Sequence, residues 1–174
     1  MLSVAAIAFI GVSIMFGIYN LKPSVEPAYV KGMGAYMMAY GILLTLATPL
    51  IAVSQQPTPQ LANYVAGLAG TFALFGVSGG IGLLVGADLK PVSYFWGLAA
   101  AIIIFYAITM PMAGFSIWWV TMLALAAIAV ILLIFGAHGK MWSVKPAGIL
   151  LLIVAVNGFY LIIKEMLLPL VLRS

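Results

Sequence analysis

The chain has 174 residues, 66% of them hydrophobic and 6% charged, with seven Lys+Arg, three Asp+Glu and a net charge of +4. A soluble domain is about a quarter charged, so a soluble domain and a disordered chain are excluded. The few cations also exclude a phosphate-tracking nucleic-acid binder. Cysteine is absent and His138 is the one histidine, which excludes disulfides, thiol nucleophiles and His- or Cys-based metal or haem sites.

The mean hydropathy of +1.28 marks an all-α integral membrane protein. A membrane-spanning helix needs roughly 20 mostly apolar residues. Six such runs occur, at 2–19, 33–53, 61–85, 92–111, 116–135 and 147–163, the last able to continue to 168 before Pro169. None alternates with the period of a barrel strand. What remains is short loop, so residues 1–174 are expected to form a single six-helix membrane domain. The first run begins at Met1 with no Lys or Arg before it. It is therefore expected to be helix 1 of the mature protein and not a cleaved signal peptide.

The loops differ in charge. Loop 1–2 carries Lys22 and Lys31, loop 3–4 carries Lys90, and loop 5–6 carries Lys140 and Lys145, whereas 54–60 (SQQPTPQ) and 113–115 (AGF) carry none. By the positive-inside rule the three basic loops face the cytoplasm and both termini lie outside the cytoplasmic membrane. Asp88, beside Lys90, is expected to form a loop ion pair.

Signals recur along the chain. Helix 1 contains Gly11-Val12-Ser13 and leads to Leu21-Lys22-Pro23. Helix 3 contains Gly76-Val77-Ser78 and leads to Leu89-Lys90-Pro91, and Val144-Lys145-Pro146 follows helix 5. Proline fits a helix start and lysine snorkels to headgroups, so Lys-Pro alone is ordinary at inner loops. The paired Gly-Val-Ser favours three repeated two-helix hairpins. Parallel repeats are one way to surround an axis along the membrane normal.

Several polar or small residues have both a packing and a functional reading. Gly76–Gly80 and Gly82–Gly86 each lie on one helix face and let another backbone approach; with Ser78 nearby they could also expose carbonyls to a pore. Asn157, Tyr160 and Lys164 share one face of helix 6, and Glu165 flanks it. A polar group in hydrocarbon must face protein or water, so Asn157 makes either an interhelical hydrogen bond or part of a polar path. Lys164 and Glu165 are outer-mouth candidates, or interfacial anchors. Tyr94-Phe95-Trp96, Trp118-Trp119 and Trp142 read as aromatic belts at the two interfaces. Met37, Met38 and Met122 read as packing or as conduit lining. Apart from Glu165 near the end of helix 6, the sequence places no carboxylate deep in a helix for a proton relay, and it holds no catalytic constellation, so no catalytic residue, metal or cofactor is expected.

The layout resembles the AmiS/UreI family of urea and small-amide channels. The segment from Asp88 to Trp96 (DLKPVSYFW) is similar to the family's acidic-x-basic-x-x-Ser-aromatic entry to helix 4. Phe9-Ile10-Gly11-Val12 is similar to its helix 1 opening, and Trp118-Trp119 to its aromatic pair at the start of helix 5. The family's further tryptophans along helix 5 and its glutamate within helix 6 have no counterparts here. The resemblance implies three two-helix hairpins, external termini and a hexameric ring. It implies passive conduction of a small neutral solute such as urea, a short amide or ammonia. Together with the polar residues above, it gives Ser13, Ser78, Trp119, Asn157 and Tyr160 as candidate pore-lining groups. The alternative is a non-catalytic structural subunit of a larger membrane complex, which short loops and a nearly uncharged body also suit.

Overall fold

The computed structural model describes residues 2–22, 26–54, 59–161 and 163–164. It contains six helices: α1 (Leu2–Leu21), α2 (Pro27–Ser54), α3 (Pro59–Val85), α4 (Leu89–Thr109), α5 (Ile117–Ala137) and α6 (Val144–Leu161). Short 3-10 turns at Pro111–Ala113 and Met141–Ser143 precede α5 and α6. Strands are absent among the described residues. Five helices are long and apolar enough to cross a bilayer, and the first contributes the shorter apolar stretch Ile7–Leu21. The chain is thus a helical membrane bundle.

Local chemistry sets the helix ends. Asp88 does not form the expected ion pair with Lys90. Its Oδ1 accepts the Lys90 backbone N–H at 2.9 Å and caps α4. That satisfies one of the amides a helix leaves unpaired at its start. Pro91 and Pro146 each stand third in their helix, where a missing N–H breaks no helical bond. α3 and α5 end alike. Gly86 and Gly139 take φ values of 68° and 84°, and the next amide reaches back to Gly82 and Phe135 respectively, each at 2.9 Å. Glycine takes that left-handed conformation without a Cβ clash. Gly86 is therefore a helix stop and not half of a packing pair with Gly82. α2 begins six residues before the first residue of its apolar run, so Lys31 lies within the helix and is exposed.

Each helix packs on its chain neighbours, and α6 packs on α1, so the six close into a ring; α3 also touches α1. The most extensive contact is α2 on α3, and glycines make it. A Cβ at Gly80 would sit 2.5 Å from the Met38 nitrogen and 2.8 Å from the Gly34 oxygen, and one at Gly41 2.6 Å from the Val77 nitrogen. Lipid is as apolar as leucine, so membrane helices associate through such close van der Waals contact. The packing reading of Gly76 and Gly80 thus has a structural basis. α6 meets α1 the same way at Gly148 and Gly17. On α5 the alanines at 126, 127 and 129 are buried, while Ile117, Ile128 and Ile131 face outward. Met122, Leu123, Val130 and Leu133 are buried beside those alanines.

Candidate functional site

Lys22, Lys31, Lys90, Lys140 and Lys145 are all exposed at one end of the ring, where α1, α3 and α5 stop and α2, α4 and α6 start. Within that basic end lies a cavity of about 170 Å³. Its wall includes Tyr19 and Asn20 of α1, Gly79 and Leu83 of α3, Leu89 and Trp96 of α4, and Leu133 and Ala137 of α5. None of the lining side chains carries a charge.

The cavity meets an aromatic cluster. Phe16 also lines it, stacked on Phe75 at 4.4 Å, and the Trp96 ring stands edge-on to both, at 6.3 Å from Phe16 and 5.3 Å from Phe75. The Phe16 ring occupies space that a Cβ at Gly79 would take. Trp96 is 2% exposed, so its indole N–H needs an acceptor; an orphaned buried donor costs about 1–3 kcal/mol. Ser78 supplies it: Nε1 donates to Oγ at 3.2 Å, and Oγ donates in turn to the Phe75 carbonyl at 3.3 Å. Asn20, also buried, donates Nδ2 to the Phe16 carbonyl at 2.6 Å.

Beyond this cluster the interior continues with aromatic rings. Phe9 and Phe72 meet at 4.4 Å. Toward the opposite end, Tyr64 contacts Tyr106 at 5.5 Å and Phe115 at 6.1 Å, and Phe115 contacts Trp119 at 6.0 Å. Buried Ala100, Ile103, Met122 and Ala126 fill the same core.

The candidate pore-lining groups therefore fall in three places. Ser13 and Ser78 are inside the bundle, Ser13 at 2% exposure on the α1 stripe that includes Val12 and Phe16, and no hydrogen bond joins the two among the described residues. Trp119 belongs to the aromatic cluster at the end opposite the lysines. Asn157 and Tyr160 lie against α5: Asn157 Nδ2 donates to the Trp118 carbonyl at 3.5 Å, and the Tyr160 ring, 45% exposed, meets Trp118 edge-on. Lys164 Nζ lies 5.7 Å over that Tyr160 ring. The structure does not bring Asn157 or Tyr160 to the cavity. Glu165 lies outside the described residues. Met37 and Met122 are buried and Met38 is half-buried.

Trp96, Asn20 and Phe16 carry this site and were not singled out as lining residues in the sequence. Trp96 sits in a run of three aromatics that reads as an interfacial belt. Tyr94 and Phe95 are indeed exposed, but one further step of about 100° turns Trp96 inward. The available signal was the spacing Ser93, Trp96, Ala100, Ile103, one buried stripe of α4.

His138, at the end of α5, lies with Nε2 3.2 Å from Ser93 Oγ. Ser93 Oγ also lies 2.7 Å from the Lys90 carbonyl, to which its hydroxyl donates. The pair joins α4 to the α5 end. Groups of three or more metal-ligating residues are absent among the described residues. No protein-family model matches the chain, and neither a curated protein nor a solved structure matches it.

Proposed function

We propose that the chain is a passive channel or facilitator for a small neutral solute, of the urea, short-amide or ammonia class, acting as a homo-oligomer in the cytoplasmic membrane. The observation that carries the reading is the uncharged cavity at the basic end, with the Trp96–Ser78 pair and the Phe16 and Phe75 rings beside it. Such a vestibule suits a neutral guest of a few heavy atoms. An ion entering it would lose its hydration with nothing to replace it. Selection then rests on width and on a few hydrogen-bonding groups in the wall, Asn20 and the Tyr19 hydroxyl, with the Trp96–Ser78 pair beside them. The closed order of six helices, α6 on α1, leaves an axis inside each protomer, in keeping with three repeated hairpins. The expected topology puts the vestibule on the cytoplasmic side and both termini outside.

The test fills the vestibule. Ala137 lines it at the end of α5 and is only half-buried, so Ala137→Trp adds bulk at the mouth without entering the core. Solute flux through proteoliposomes should fall at least about tenfold, that is, by about 1.4 kcal/mol of barrier, with assembly unchanged. Unchanged flux in that variant removes the vestibule from the path.

A further inference from the structure

A second set of hydrogen-bonding groups lies on the outer face of α5 and α6, at the end away from the cavity. Trp118 is 46% exposed and its ring stands 6.0 Å from that of Tyr160, edge-on. Asn157 is tied to the Trp118 carbonyl only at the 3.5 Å limit. Lys164 stands over the Tyr160 ring. Around them the face is aliphatic and exposed, at Ile128, Ile153 and Val156. Thr121 is exposed too, but its hydroxyl donates to Ile117 within its own helix at 3.0 Å.

Four donors are left over. The Trp118 indole N–H, the second Asn157 amide N–H, the Tyr160 hydroxyl and the Lys164 ammonium have no acceptor among the described residues. Asn157 and Tyr160 stand one turn apart on α6, Lys164 follows just beyond its end over the Tyr160 ring, and Trp118 faces them from the start of α5. Such a cluster on a lipid-facing surface calls for a ligand rich in acceptors, anionic at its upper end and apolar below.

We propose that this cluster is a binding site for one phospholipid. Its phosphate takes the Lys164 ammonium and the Tyr160 hydroxyl, its ester oxygens take the Trp118 and Asn157 N–H groups, and one acyl chain runs down Ile153 and Ile128. The phosphate and ester oxygens are all acceptors, and the charge-assisted hydrogen bond between the Lys164 ammonium and the phosphate is the strong one. The order of the donors matches the passage from headgroup to hydrocarbon, an interfacial layer of roughly 5–8 Å on each side of the bilayer. A second copy of the chain matches less well. The described carboxylates, Glu26 and Asp88, lie at the opposite end of the ring. Exposed Thr45 and half-buried Thr109 have hydroxyls already bonded to their own helices. This site is independent of the proposed conduction.

The test is native mass spectrometry of the purified chain in detergent, titrated with dioleoylphosphatidylglycerol. Trp118→Phe keeps the ring and removes only its N–H; Lys164→Gln keeps length and removes the charge. The parent should retain one more phosphatidylglycerol than either variant. The apparent affinity for that lipid should fall about tenfold, the loss of one strong hydrogen bond. Dioleoylglycerol, which lacks the phosphate, should bind at least about tenfold more weakly, and soluble glycerol phosphate should not displace the lipid. Three results would overturn the proposal. They are equal retention by parent and both variants, displacement by glycerol phosphate at equal concentration, and a protomer pair that dissociates on Trp118→Phe. The last would assign the face to a second copy.

Discussion

The hydrogen bond between Trp96 and Ser78 joins α3 to α4 beside the vestibule, and its strength can be measured by a double-mutant cycle. Ser78→Ala removes the acceptor and leaves the indole N–H of a residue only 2% exposed without a protein partner. Trp96→Phe removes the donor and part of the ring. Each single change should destabilise the fold, Ser78→Ala by about 1–2 kcal/mol, the lower part of the range for an orphaned donor. The low figure follows from the cavity, whose space beside Trp96 lets water approach the indole. The informative quantity is the coupling. Hydrogen bonds between helices inside membrane proteins couple by about 0.6 kcal/mol on average, and the 3.2 Å separation is longer than the usual 2.9–3.0 Å. A coupling of about 0.5–1 kcal/mol is expected from reversible unfolding in mixed micelles as the denaturing detergent is raised. A value below about 0.3 kcal/mol, within the scatter of independent sites, would show that the two groups do not act together.

Other predictions address the packing, the cap, the vestibule and the topology. Gly80→Ala brings a methyl within 2.5–2.8 Å of α2 backbone atoms that cannot rotate away, so the micelle unfolding midpoint should correspond to a loss of about 1–3 kcal/mol. Gly97→Ala, whose nearest added contact is an ordinary 4.0 Å to Ile134, should be tolerated. Asp88→Ala removes the α4 cap and should cost about 0.5–2 kcal/mol in the same assay, whereas Asp88→Asn should restore most of it. Gly79→Ala displaces the Phe16 ring, so urea flux in proteoliposomes should fall while the protein still assembles. Because the chain lacks cysteine, single cysteines report topology directly. One at Met112, 85% exposed, should react with an impermeant thiol reagent in intact cells, and one at exposed Lys140 only after the membrane is opened.

The helices were legible because a run of 20 apolar residues has one stable solution in a bilayer. Their faces were not. In a soluble helix, polarity marks the outward side, but here the lipid-facing residues are as apolar as the core. The buried side of α5 holds Met122, Leu123, Val130 and Leu133 beside its alanines, and the exposed side holds Ala124 beside its isoleucines, so residue type does not separate the two. Trp96 shows the consequence, since beside Tyr94 and Phe95 it looks like an interfacial residue until the helical turn is followed. Asn157 shows the reverse. The cost of a bare amide in hydrocarbon demands a partner, but a backbone carbonyl on the next helix contributes to meeting it, and Trp118 provides one. The demand for a partner therefore did not place Asn157 at the vestibule. Helix starts lie earlier than the apolar runs where a lysine falls in the first turns of a helix. At Lys31 the side chain is exposed while its backbone is already helical, as snorkelling permits. Ser78 stands out in the sequence as a serine repeated after Gly-Val at matching places in α1 and α3, and in the structure it accepts the Trp96 indole N–H.

Solute flux through the purified chain alone tests the central claim most directly. Proteoliposomes holding only this protein should admit urea, acetamide or ammonia faster than empty liposomes of the same lipid, with no accompanying ion current. Rates for all three solutes equal to those of empty liposomes would contradict the channel reading and leave a structural subunit of a larger assembly in its place.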